Sequence, residues 1–182
     1  MHDIGKPDKF FVDDNGQGHF YGHPKRSAEI SKDILKSLKF SKKMQDTILL
    51  LIRWHDQPME ATKKSVKKML RKFAAVNTQL PTDELFRIYC DLRRADSYAH
   101  AENYREYLTF TDKIEQVFDE VIAEQEAFSL KDLAISGHDV IELGVKPGPQ
   151  ISQILNECLN QVVDEKIANE KHDLLNFAKS LM

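Results

Sequence analysis

Apolar residues recur at three- and four-residue steps along nearly the whole chain, the period of an amphipathic helix rather than the alternation of a strand. From Pro24, the stretch HPKRSAEISKDILKSLKFS puts Ala28, Ile34, Leu35 and Leu38 close to one face, with Pro24 suited to the first helical turn. Ser41 caps a second helix through KKMQDTILLLIRWHD with the stripe Met44, Ile48, Leu51, Ile52, and Pro58 follows its end. A third, ATKKSVKKMLRKFAAV, sets Val66, Met69, Leu70 and Phe73 opposite six basic residues. A fourth starts at Thr82 after Pro81, with Asp83 and Glu84 where the helix dipole favours acids, and runs through DELFRIYCDLRRADSYAHA. The segment around TDKIEQVFDEVIAEQEAF reads as a connector helix. Beyond it, Gly144 and a PGP turn punctuate LKDLAISGHDVIELGVKPGP, and the helices QISQILNECLNQVVD and KHDLLNFAKSLM close the chain. Strand signals are nearly absent, so the pattern predicts an all-α fold.

Two polar residues break this pattern. The position that follows Ile52 on the stripe of the second helix is His55, which therefore points inward. In the fourth helix the steps Leu85, Tyr89, Leu92, Asp96, Ala99 set an aspartate on the apolar face. A buried carboxylate is costly unless a cation or hydrogen bonds compensate it. Taken singly, His55 reads as a satisfied core histidine and Asp96 as the partner of an arginine such as Arg53. Taken with His2, Asp3 and His23, they make five imidazole and carboxylate groups from separate segments, a set that suits Mn, Fe, Co, Ni or Mg better than a thiolate zinc site does.

Composition bounds the rest. With 182 residues, 41% hydrophobic and 30% charged, the chain suffices for one medium domain or a domain with an appendage. No apolar run approaches the roughly 20 residues of a membrane span, and the start lacks a basic-then-apolar signal, so a cytoplasmic location without a membrane partner is expected. Cys90 and Cys158 have no metal-type spacing and read as buried thiols. Residues 1–100 carry a net charge of +6 and residues 101–182 one of -9, which makes the front half the better candidate for an anionic partner. On the third helix, Lys64, Lys67 and Lys68 are candidate RNA contacts, against the alternative of an ordinary solvated face.

The strings HDIGKP, HFYGHPKRSAEI, LIRWHD and LRRADSYA resemble the HD-domain superfamily of metal-dependent phosphohydrolases. More narrowly, with the tail LKDLAISGHDVIELGVKPGPQISQILNECLNQVVDEKIANEKHDLL, they resemble the C-terminal HD and tail portion of bacterial tRNA nucleotidyltransferases, the CCA-adding enzymes related to poly(A) polymerases. The resemblance implies an HD-domain helical bundle over residues 1–110, a connector helix over 111–128 and a small helical tail domain over 129–182. It implies that His2, Asp3, His23, His55 and Asp96 ligate a divalent metal (Mn, Ni, Fe, Co or Mg), with Asp3 and Lys6 catalytic and Lys6, Lys25 and Arg26 contacting phosphate. His138-Asp139 and His172-Asp173 match no metal position and read as turn or helix-surface residues. Relative to the family the HD portion is N-terminally incomplete: a further ligand histidine lies on a helix upstream of the His-Asp pair, and a head domain carries the carboxylates for nucleotide addition. No nucleotide addition is expected from these residues alone, and hydrolysis is expected to be weak at best. The implied activity is hydrolysis of a phosphomonoester or 2',3'-cyclic phosphodiester in a tRNA-processing context. The alternatives are a noncatalytic tRNA-binding body and tail or a structural remnant, and a homodimer is left open.

Overall fold

The computed structural model describes residues 1–100 and 107–182. The fold is all-α, with eight α-helices and one short two-stranded ribbon among the described residues. Two compact units form, one from residues 1–59 and 75–115, the other from 60–74 and 116–182.

The first unit begins with a tight turn over Met1–Lys6 and a 3-10 turn at Pro7–Lys9, followed by strands β1 (Phe11–Val12) and β2 (Gly18–His19), which pair antiparallel. Periodicity over two residues is invisible, which is why the sequence gives no hint of this ribbon. Its turn is built by Asp13, whose side chain accepts from the N–H groups of Asn15 and Gln17, each at 2.9 Å, while Gly16 adopts φ +79°.

Helices α1 (His23–Ser37) and α2 (Lys42–Trp54) pack together. The buried row of α1 is His23, Ser27, Ser31 and Leu35, whereas the expected Ala28 and Ile34 are half-buried and Leu38 is 62% exposed. Small hydroxyl residues let backbone approach this face closely, so hydrophobicity alone misplaces the stripe. On α2 the buried residues are Thr47, Leu50 and Ile52, with Met44, Ile48 and Leu51 half-buried. Thr47 is tolerated there because its hydroxyl donates to Lys43 O at 2.9 Å and accepts from Gln79 N at 2.7 Å. Ser41 caps α2, accepting from Met44 N at 3.3 Å. Helix α4 (Thr82–Ala99) buries Leu85, Phe86, Tyr89 and Cys90. Ala101, its expected last residue, lies outside the described residues.

The second unit contains α3 (Lys63–Ala74), whose stripe Val66, Met69, Leu70, Phe73 is buried as the periodicity predicts, and which packs on α7 (Pro149–Val163). The unit boundary falls inside α5 (Tyr107–Ala123), after Glu115. Helices α6 (Gly137–Glu142), α7 and α8 (Lys171–Ser180) close a core of Ile135, Val140, Ile154, Cys158, Leu159 and Leu174. Ser136 and Asp139 form a capping box at the start of α6, and Gly144, at φ +101°, turns the chain out of it. No helix among the described residues is long and apolar enough to cross a membrane.

Candidate metal centre

Four segments of the first unit bring the site together. Gly22, at φ +80°, swings the chain from the ribbon into α1 and sets His23 at the head of that helix. His55 sits at the C-cap of α2, and Asp96 is on the last turn of α4. The Met1–Lys6 turn delivers His2 and Asp3. That turn is pressed onto α1: Gly5 N donates to Ser27 Oγ at 2.9 Å, and a Cβ at Gly5 would lie 2.6 Å from Ser27 N. Gly5→Ala is therefore expected to lower stability by about 1–3 kcal/mol, the usual cost of forcing extra volume into a packed site. By moving Asp3 it should also weaken Mn2+ binding in a calorimetric titration. Unchanged affinity would mean the turn does not set the position of Asp3.

The polarity of the two buried imidazoles is fixed by their backbone partners. His23 Nδ1 faces Phe20 O at 3.0 Å and His55 Nδ1 faces Ile52 O at 2.8 Å. A carbonyl only accepts, so both Nδ1 atoms carry a proton, and Nε2 is the nitrogen that offers a lone pair when the ring is neutral. Those Nε2 atoms are 3.3 Å apart. Asp3 Oδ1 lies 3.3 Å from His23 Nε2 and 3.6 Å from His55 Nε2, and it is a buried oxygen without a hydrogen-bond partner. Two imidazole nitrogens and a carboxylate oxygen thus converge on one point, which a shared proton or a metal cation can occupy.

Burial pushes the His55 imidazole below its ordinary value, and the neighbouring imidazoles of His2 and His23 add to the effect. Burial would raise Asp3, but the hydrogen bond and charge of Lys6, with His2 and His55, outweigh it and hold the carboxyl below its ordinary value. Lys6 Nζ is 2.6 Å from Asp3 Oδ2. His2 Nε2 lies 3.5 Å from Asp3 Oδ2 and 3.2 Å from Asp96 Oδ1. His2, Asp3 and His55 each offer a ligand atom within 4.8 Å of the others. Asp96 keeps a 26% exposed side chain and faces His2, so it is neither in the apolar core nor paired with Arg53.

A cavity of about 180 Å³ opens beside this cluster, lined by His55, Asp56, Gln57, Pro58, Arg93, Asp96, Ser97 and His100. Arg93 is the residue that the sequence reading does not single out. Its position shares a helical face with Tyr89 and Asp96, four residues before and three after, and that spacing is the signal that could have found it. The adjacent Arg94 instead meets Asp91, Asp112 and Glu115.

The remaining sequence candidates have other surroundings. Arg26 is engaged by Asp8 at 2.6 Å and Glu29 at 3.5 Å. Lys25 is exposed and lines a separate groove of about 310 Å³ with Leu49, Leu50 and Arg53. In the second unit, Lys64 and Lys68 lie 3.4 and 2.8 Å from Asp164 Oδ1, and the hydrogen bond from Lys68, with Lys64, holds that carboxyl down to about 2. Lys67 is buried, with Nζ 2.6 Å from Glu126 and 3.1 Å from Glu165. Much of the positive excess of the front half is thus met, on α3, by acids of the back half. His138 and His172 are exposed on α6 and α8. Burial pushes the Cys90 thiol up to about 12, which removes it as a nucleophile.

The first unit is thus helical, with an imidazole and carboxylate cluster gathered at helix ends and one N-terminal turn. The family model for tRNA nucleotidyltransferase domain 2 matches residues 23–178, and the chain belongs to that family. The CC-adding tRNA nucleotidyltransferase of Thermus thermophilus is 25% identical over 173 residues, covering 94% of this chain and 36% of that protein. The A-adding tRNA nucleotidyltransferase of Deinococcus radiodurans is 27% identical over 158 residues, covering 85% of this chain and 34% of that protein. A CCA-adding enzyme of Levilactobacillus brevis is 47% identical over 45 residues, 25% of this chain and 11% of the relative. The chain spans about a third of the length of the first two relatives. No solved structure matches it.

Proposed function

We propose that the chain is the tRNA-holding body and tail of a tRNA nucleotidyltransferase, a part that grips the RNA while nucleotide addition takes place elsewhere. The match to the family over residues 23–178 carries this reading. Phosphate contacts release counterions from RNA, so binding should weaken steeply with salt. Fluorescence anisotropy of labelled tRNA is expected to report binding at about 50 mM salt that falls with a linear slope of log K against log salt as salt is raised to about 200 mM. An absence of binding at the lower salt would overturn the reading.

A second reading is favoured by one observation, the orphaned Asp3 Oδ1 between the His23 and His55 lone pairs. It makes the cluster a divalent-metal centre of the HD type, acting on a phosphomonoester or a 2',3'-cyclic phosphodiester. His2, Asp3, His23, His55 and Asp96 would hold the ion, whose chemistry when bound is polarisation of a phosphoryl group and acidification of water. The carbonyls of Phe20 and Ile52 orient the two imidazoles as neutral ligands, the outer-shell support that metal histidines usually have. Lys6 keeps Asp3 ionised and places a positive charge where a phosphate would approach.

A further inference from the structure

Among the described residues Arg93 has hydrogen bonds to neutral groups and no ion pair. Its Nη1 donates to Gln57 O and Tyr89 Oη at 2.9 Å each and to His55 O at 3.4 Å, all neutral acceptors. Among the described residues no carboxylate forms an ion pair with it, in contrast to the three that surround Arg94. The carbonyls of His55 and Gln57 are at the end of α2, where a cation complements the helix dipole, so Nη1 has a structural task. The guanidinium has five donors in a planar fork; these bonds engage Nη1, and Arg93 lines the cavity with His55 and Asp96. A fork held by three acceptors loses little freedom when a ligand arrives.

The cavity limits the ligand. A cavity of about 180 Å³ has room for a phosphoryl group. Asp56 and Asp96 share the lining, so an anion enters only if positive charge outweighs them. Arg93 supplies one such charge and a cation in the cluster another. We propose that Arg93 is a phosphate-binding residue, holding the phosphate of a nucleotide or RNA end against the His2, Asp3, His23, His55 and Asp96 cluster. The inference deepens the metal-centre reading and rests on it for the second charge, while the contribution of Arg93 itself is measurable without metal.

Inorganic phosphate is the probe, titrated into the 182-residue protein with and without Mn2+. Binding is followed by calorimetry and by the fluorescence of Trp54, the single tryptophan and the residue before His55. The wild type is expected to bind phosphate, and more tightly with Mn2+. Arg93→Lys keeps the charge and loses the fork, and should weaken phosphate about tenfold or more, as loss of a bidentate charged contact does. Gln57→Glu leaves Arg93 and its backbone bonds in place but sets a carboxylate on the cavity wall, and should weaken phosphate as much. Both variants should keep Mn2+ affinity and unfold within a few degrees of the wild type. If Arg93→Lys does not fold, Gln57→Glu decides. Wild-type phosphate affinity in the folded variants overturns the assignment of Arg93. A wild type that takes Mn2+ but no phosphate also overturns it and spares the metal centre. Phosphate binding that depends on Arg93 without any Mn2+ binding supports Arg93 and removes the metal centre, and binding of neither overturns both.

Discussion

Mn2+ or Ni2+ is expected to raise the thermal midpoint of the wild-type protein, and Asp3→Asn to abolish that rise without making the metal-free protein less stable. In the metal-free protein Asp3 Oδ1 faces the Nε2 atoms of His23 and His55 at 3.3 and 3.6 Å. An asparagine amide turned toward them donates to an Nε2 lone pair, so the substitution keeps a polar contact while it removes a ligand. What it gives up is the ion pair with Lys6, partly solvated and worth at most about 1 kcal/mol. A ligand at a hundred times its dissociation constant stabilises the folded state by about 2.7 kcal/mol, which in a chain of this size moves the midpoint by roughly 5–10 °C. Loss of outer-shell support alone weakens metal affinity about 10–100-fold, and loss of a direct ligand should do at least as much. Under the metal-centre reading, phosphodiester and 2',3'-cyclic nucleotide hydrolysis should appear only in the metal-loaded wild type. An equal midpoint gain in Asp3→Asn, or a marked loss of stability in its metal-free form, would identify the cluster as a structural ion-pair network.

The helices were legible because burial on one side imposes a period, and the period survives even where its phase is misread. Val66, Met69, Leu70 and Phe73 are unambiguous, since the opposite face of α3 is charged. On α1 the true inner face is marked by Ser27 and Ser31, chosen for size rather than hydrophobicity, so that the Met1–Lys6 turn can lie against the helix. The run Leu49-Leu50-Leu51-Ile52 supports several phases, and the selection falls to Thr47, whose hydroxyl serves a distant backbone N–H. His55 and Asp96 stood out because polar residues interrupt an apolar row. Arg93 did not, because a basic residue on a helix is ordinary until its neighbours are known. Charge was the least legible property. A count along the chain cannot tell a cation awaiting an anionic partner from one already paired with an acid about sixty residues further on, as Lys67 is with Glu126.

That pairing makes Lys67→Ala the other change of large expected effect, a loss of about 3 kcal/mol from the second unit, the lower end for breaking a buried pair because both acids retain some solvent. The Lys67 side chain is 3% exposed, and its Nζ bonds Glu126 at 2.6 Å and Glu165 at 3.1 Å. Glu126 is then left to Lys63 alone, at 3.2 Å. Lys68, half exposed and paired among the described residues with Asp164, should cost little when removed. Urea unfolding followed by far-UV circular dichroism compares the two. The pH dependence carries the sign. Burial raises the Glu126 carboxyl, but Lys67 and Lys63 outweigh it and hold the group below its ordinary value of 4.5, so their stabilisation is full above that value and is lost as pH falls through the depressed one. The gap between wild type and Lys67→Ala should therefore narrow on acidification, as Glu126 becomes neutral in both. A gap that persists in acid would assign the loss to packing of the lysine stem and not to its charge. Equal stability of Lys67→Ala and Lys68→Ala would show that burial of this ammonium contributes nothing. For RNA binding the consequence is practical. Lys67→Glu would set a third carboxylate against two and unfold the unit, so a lost tRNA affinity there says nothing about contact. Lys64→Glu and Lys68→Glu, on the exposed side, weaken tRNA and flatten its salt slope only if that face meets phosphate.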